Sequence, residues 1–157
     1  MRQNILFVCT GNTCRSAMAA YLAAQIKDRL LPQSSFRFDS AGLVAVDGYP
    51  PSENAVAALK EWDIDITAHR SKKFQSYMVD RADIIACMTG MHKNAVLTEY
   101  PEAAGKVFFL GELSGSNEEI PDPYMGSLAR YRLTRDVLQE EIQRMLEKLS
   151  ETKGKEE

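Results

Sequence analysis

NILFVCTGNTCRSAMAAYLAAQIKDRLL, residues 4–31, changes character twice along its length. NILFV is a short apolar run rich in β-formers, and residues 10–14 are small and polar. SAMAAYLAAQIKDRLL, residues 16–31, then carries the composition and spacing of a helix. The stretch predicts a strand ending in Cys9, a tight loop, and a helix that begins near Arg15.

Outward from it the same alternation continues. SFRFDSAG (35–42) alternates like a strand and stops at Gly42, while DIIACM (83–88) and KVFFLGEL (106–113) are further strand candidates. PPSENAVAALKEW (50–62) opens with Pro and Ser before an apolar-periodic run, a helix start signal. SKKFQSYMVDRA (71–82) reads as another helix. From residue 126 to 149 the pattern is a long amphipathic helix with Leu128, Tyr131, Leu138, Ile142, Met145 and Leu149 near one face. Strands alternating with helices predict an α/β fold in three layers, a central parallel four-stranded sheet covered by helices on both faces. In such sheets ligands bind beyond the carboxyl ends of the strands, which is where Cys9 and its loop fall.

The length of 157 residues suits one domain, read here as 1–150 with a charged, frayed tail at 151–157. A net charge of −3 gives no electrostatic case for nucleic acid, and no apolar run reaches membrane-spanning length. The chain enters its first strand at once, leaving no room for a signal peptide. Three cysteines, Cys9, Cys14 and Cys87, make a poor secreted disulfide framework, so a cytoplasmic setting is expected. Nothing in the composition fixes an oligomeric state.

The loop from Cys9 to Ser16 carries the chemistry. Successive backbone N–H groups entering a helix can form an anion-binding nest, and Gly11 and Asn12 both tolerate the positive φ that a nest needs. Arg15 adds a planar fork of donors matched to two phosphate oxygens. The same positive surroundings favour the thiolate of Cys9, a nucleophile aimed at phosphorus. Other readings compete. A strand-end cysteine is commonly a small buried hydrophobe, and two cysteines could begin a metal site. His69 and His92 read as distant and unpaired, so neither metal nor other cofactor is expected. No Gly-Lys-Ser/Thr follows the glycine, which excludes a Walker loop.

VCTGNTCRS, residues 8–16, resembles the Cys-x5-Arg-Ser signature of the low-molecular-weight protein tyrosine phosphatases. DSAG (39–42) resembles the end of that family's second strand, and DPYMG (122–126) its acid loop. The resemblance covers nearly the whole chain and implies a set of roles. Cys9 would attack phosphorus to form a phosphocysteine. Arg15 and the loop residues Thr10, Gly11, Asn12, Thr13, Cys14 and Ser16 would hold the phosphoryl oxygens. Asp122 would protonate the leaving group and then activate water, although Asp-Pro-Tyr is also good turn chemistry by itself. Ser16 resembles the hydroxyl that bonds the thiolate and is equally placed to cap the helix. Asn12, Ser40 and His69 resemble the network that shapes the loop. Cys14 resembles the neighbour that traps oxidised Cys9 as a disulfide, and Cys87 reads as core. Phosphorylated proteins or peptides are the implied partners.

Three features bear on which phosphate is removed. Thr13 stands where tyrosine-directed members commonly carry an aliphatic residue, and CTGNTCRS resembles the bacterial protein arginine phosphatases. A hydroxyl there suits a polar guanidinium better than a phenyl ring. GLVAVDGYPP (42–51) lacks an aromatic residue at the expected wall position, with Tyr49 shifted beyond the glycine. DPYMGSLARYRLTRDVLQEE resembles the arginine branch through Tyr131, Thr134, Arg135 and Asp136. It departs from that branch at Tyr124, a tyrosine-branch residue that counts with Thr13 as a selectivity position, and at Met125. Phosphoarginine is favoured, with phosphotyrosine the alternative. A thioredoxin-coupled arsenate reductase is remote, because it needs two later cysteines and only Cys87 is present. A non-catalytic binding module is disfavoured by the presence of both Cys9 and Asp122.

Overall fold

In the computed structural model, which describes residues 3–156 (side chains to 152), the central strand is β1, Gln3–Cys9. Its neighbours in the sheet are β2 (Phe36–Gly42) and β3 (Ile84–Cys87), and β4 (Val107–Phe109) lies beyond β3. All three pairings are parallel, giving the order β2-β1-β3-β4. Because β1 has a strand on each side and helices above and below, all of Ile5 to Cys9 is buried. Period-two alternation sends Ile5, Phe7 and Cys9 to one face and Leu6 and Val8 to the other.

The first face is covered by α1 (Arg15–Leu30), α2 (Glu53–Lys60) and α6 (Leu128–Glu156), through Met18, Leu22, Leu59, Leu138 and Ile142. The second is covered by α3 (Ser76–Arg81) and α4 (Gly90–Glu99), through Met78, Val79 and Val96. A short α5, Leu110–Ser114, follows β4. These are the three layers and four parallel strands that the alternation predicts. The chain leaves β1 for β2 on one side and returns to β3 on the other, so a crevice opens beyond Cys9.

Several boundaries differ from expectation. Residues 71–75 are not helical: Gly42 exchanges backbone hydrogen bonds with Lys72 and Phe74 at 2.9 Å each, drawing the segment out as an extension of the sheet. KVFFLGEL is a strand for only three residues. The Glu112 carboxylate accepts the Phe109 N–H at 2.9 Å, caps α5, and is held by Lys93 at 2.8 Å. α4 was not anticipated, because only His92 and Val96 of its ten residues are buried and its apolar stripe is too thin to read. α6 runs on beyond residue 149 to Glu156, so the helical backbone continues into the segment expected to fray; its side chains from 153 onward lie outside the described residues. α6 is tied to α2 by Arg135, which donates to Ala58 O at 2.8 Å and to Glu61 at 2.7 Å and stacks over the Trp62 ring at 4.1 Å.

Candidate active site

The loop from Cys9 to Ser16 is shaped by what takes its carbonyls. Cys9 O accepts from Leu43 N–H at 2.9 Å, Thr10 O from Val44 N–H at 3.0 Å, and Thr13 O from Ser52 N–H at 3.0 Å. Asn12 O accepts from His69 Nε2 at 2.7 Å, and Cys14 O from Met18 N–H at 3.0 Å. These carbonyls are taken by segments outside the loop or by α1 itself, while the Asn12 N–H points the other way, at Cys9 Sγ from 3.3 Å, the sense an anion nest at the start of α1 requires. Of the two residues expected to tolerate positive φ, Asn12 makes the backbone turn, with a φ of 59°, and Gly11 is not in the left-handed region. Asparagine tolerates that conformation and supplies a side chain that glycine cannot.

That side chain is fully used. Asn12 Nδ2 donates to Ser16 Oγ at 2.8 Å and to Ser40 Oγ at 2.9 Å, while Oδ1 accepts the Lys72 N–H at 2.9 Å. Ser16 Oγ lies 2.8 Å from Cys9 Sγ and 3.4 Å from Ala41 O. With Asn12 filling one Ser16 acceptor site, the single hydroxyl proton serves the Ala41 carbonyl when Cys9 is a thiol and can turn to the sulfur when Cys9 is a thiolate. Asn12 N–H points at the same sulfur from 3.3 Å. Ser16 is the second residue of α1, and its hydroxyl lies against the cysteine; Cys14 holds the cap position, and its side chain makes no capping bond. His69 is buried, and burial pushes its pKa down, so the neutral ring donates from Nε2 to the Asn12 carbonyl.

Arg15 is buried along its length. One guanidinium nitrogen donates to Ile120 O at 3.0 Å, and the other lies 3.5 Å from Asp122. Asp122 is half exposed: Oδ1 accepts the Tyr124 N–H at 3.0 Å, the turn bond expected of Asp-Pro-Tyr, and Oδ2 faces Arg15. The Ile120 N–H in turn bonds Met88 O at 3.0 Å, hanging this segment from the end of β3. Residues 9–15, Asp122 and Tyr124 line one pocket of about 340 Å³.

Two expectations are corrected here. Tyr49, expected beyond the wall, lines the pocket with Val44, Ala45 and Val46. Gly48 has a φ of 96° and its N–H bonds Ser71 O at 2.9 Å, which folds the chain back and returns the tyrosine. His92, expected far away and unpaired, has Nε2 2.9 Å from Thr10 Oγ1. It sits in the first turn of α4, and α4 begins where β3 ends beside β1, so parallel strand direction alone brings it to the loop. Sequence reading also missed Tyr131 as a site residue. Its hydroxyl lies 3.1 Å from Cys14 Sγ, which donates to Ser52 Oγ at 3.4 Å. Burial, with the Cys14 bond, pushes the Tyr131 phenol up to about 12. Cys87 is fully buried in β3, and burial pushes its thiol up to about 12.

Comparison with known proteins agrees with this geometry. A family described as low molecular weight phosphotyrosine protein phosphatase matches residues 4–155. A protein-arginine-phosphatase of Geobacillus stearothermophilus is 41% identical over 150 residues, covering 95% of this chain and 97% of the relative. A probable low molecular weight protein-tyrosine-phosphatase of Ralstonia nicotianae is 37% identical over 139 residues, covering 88% of this chain and 90% of the relative. Among solved structures, a Cys→Ser variant of YwlE arginine phosphatase with a phosphorylated active-site serine superposes with a TM-score of 0.89 at 34% identity, covering 94% of this chain and 96% of that one. The chain belongs to the low molecular weight phosphotyrosine protein phosphatase family.

Proposed function

We propose that this protein removes phosphoryl groups from protein side chains through a phosphocysteine intermediate, with phosphoarginine as the preferred substrate. The observation that carries the chemistry is Cys9 Sγ in the pocket lining, 2.8 Å from the Ser16 hydroxyl and facing the Asn12 N–H, with Arg15 and Asp122 at the same pocket. The thiolate attacks phosphorus as the P–N bond of phosphoarginine, or the P–O bond of an ester, breaks. Asp122 delivers a proton to the leaving atom. Arg15 and the amides of residues 10–16 meet the charge on the equatorial oxygens, replacing the metal that other phosphoryl-transfer sites use. Asp122, now a carboxylate, takes a proton from water as it attacks the phosphocysteine. Phosphate leaves and the thiolate is restored.

Asn12, Ser40 and His69 hold the loop in shape by the bonds already described. Cys14 stands one loop away from the nucleophile, available to trap its oxidised form. The three cysteines are free thiols, which suits a reducing cytoplasm as the working compartment.

Thr13 in the pocket lining, together with the arginine-phosphatase relatives, supports phosphoarginine. Phosphotyrosine is the second reading, favoured by Tyr49 and Tyr124 on the pocket wall. The test is kcat/KM on matched phosphoarginine and phosphotyrosine peptides for wild type and Thr13→Ile. A wild-type preference for phosphoarginine that Thr13→Ile moves toward phosphotyrosine is the expected result. A wild-type preference for phosphotyrosine would reverse the substrate assignment and leave the chemistry standing. Unchanged phosphate release by Cys9→Ser would remove the nucleophile itself.

A further inference from the structure

The buried imidazole of His92 belongs to no part of the network around the nucleophile, yet it is bonded at both nitrogens. Nδ1 is 2.9 Å from Thr89 Oγ1 and Nε2 is 2.9 Å from Thr10 Oγ1. Thr89 caps α4, its hydroxyl oxygen already accepting the His92 backbone N–H at 3.3 Å. Burial first, and then the positive charge of Arg15, push the His92 pKa down to about 4 against the carboxylates of Asp122 and Glu119, so the ring is neutral.

A neutral imidazole donates from one nitrogen and accepts at the other, so the two threonine hydroxyls cannot play the same part. If Thr10 gives its proton to Nε2, its oxygen turns a lone pair toward the pocket that the loop and Arg15 line. An anion there is repelled. If Nε2 keeps the proton, Thr10 Oγ1 accepts from the ring and its own proton is left to point outward. Thr10 is exposed and lines the pocket beside Cys9, so that proton has somewhere to go. Thr89 completes the order by donating to Nδ1, an arrangement its second lone pair and single proton allow.

We infer that His92 is a positioning residue that acts through Thr10: accepting from Thr89 at Nδ1 and donating from Nε2, it turns the Thr10 hydroxyl proton toward a phosphoryl oxygen in the pocket. The identity of that ligand rests on the phosphatase reading above. The contact is made to an oxygen that substrate, intermediate-bound and product phosphate all present, so it serves binding more than the chemical step.

Kinetics and spectroscopy test it together. Thr10→Val and His92→Leu are each expected to raise KM, and the inhibition constant of inorganic phosphate, about ten- to a hundredfold, the worth of one hydrogen bond to a charged group, with kcat within about twofold. The double variant is expected to be no worse than either single one, and His92→Gln, which keeps an N–H donor, to recover part of the loss. With saturating inorganic phosphate, the imidazole 15N shifts of the intact protein should report His92 protonated at Nε2, and His92→Gln assigns the signals against His69. Effects of Thr10→Val and His92→Leu that add, or an Nδ1-protonated ring with phosphate bound, would overturn the inference. Should His92→Leu not fold, Thr10→Val and the tautomer decide the matter. Failure of the wild type to release phosphate would instead overturn the phosphatase reading, and is distinct from all of these.

Discussion

Replacing Gly42 by alanine introduces one methyl group at the seam between β2 and the phosphate loop. Its Cβ would stand 2.6 Å from Thr10 O, 2.9 Å from Asn12 N and 2.9 Å from Ala45 Cβ. Two of these three neighbours are backbone, so no side chain can swing aside. Restoring the 3.4 Å of an ordinary contact requires strand end and loop to part by roughly 0.8 Å. They are laced together by Leu43 N–H to Cys9 O at 2.9 Å and Val44 N–H to Thr10 O at 3.0 Å, so the shift passes into the backbone that aims Cys9. Overpacking of this kind costs about 1–3 kcal/mol of stability, and misplacing a reacting group by about 1 Å lowers rate on the order of 10²-fold. The assay is kcat/KM on a phosphoarginine peptide beside urea unfolding, with Gly90→Ala as control. Gly90 opens α4 with no atom within 4 Å of the added carbon, so alanine there should leave activity alone and raise stability by up to about 1 kcal/mol. A Gly42→Ala protein with wild-type kcat/KM and an unchanged urea midpoint would refute the reasoning.

Glu61 is bonded by Arg132 and Arg135, which lower its pKa from 4.5 to about 2. A depressed carboxyl stabilises above its ordinary value and loses that contribution as pH falls. The wild-type urea midpoint should therefore drop more steeply than that of Glu61→Gln between pH 4.5 and about 2, and parallel curves would count against the bridge. Met125 is 85% exposed at a φ of 63°, so Met125→Gly should stabilise by up to about 1 kcal/mol without loss of packing; a lower unfolding midpoint would contradict the strain. Cys87, with its thiol held up near 12 by burial, should resist iodoacetamide in the folded protein, while Cys9 is alkylated and inorganic phosphate protects it. Peptide mapping that finds Cys87 labelled first would reverse that order.

The strands and the phosphate loop were legible because each is a local signal. NILFV is an apolar run that must be buried on both faces, and CTGNTCRS holds small polar residues where a chain turns tightly. Ser16, Ser40 and His69, residues that the family resemblance singles out for comparison, all bond Asn12. What escaped was set by distance along the chain. His92 reaches Thr10 across 82 residues, and Tyr131 reaches Cys14 across 117. Nothing local to GMHKNAVL marks a histidine as part of the loop; only the knowledge that α4 starts at the same sheet edge as α1 does so. Tyr49 escaped for the opposite reason. The reversal at Gly48 is local, but its effect depends on where Ser71 stands to accept the bond. The helix expected over 71–82 failed in its first half because pairing with Gly42 outweighs the helical preference of Ser-Lys-Lys.

The partners outside α1 that hold the loop carbonyls come from positions 43, 44, 52 and 69, spread across the residues just after β2, the α2 entry and the segment before α3. No part of the amino-terminal third carries them all. A nascent or partly unfolded chain therefore lacks the shaped loop around Cys9, because the partners of its carbonyls arrive only once distant segments have docked. On the proposed mechanism, catalysis is thus an output of completed folding. The loop geometry that the proposed chemistry needs is present only in molecules whose later segments have already docked.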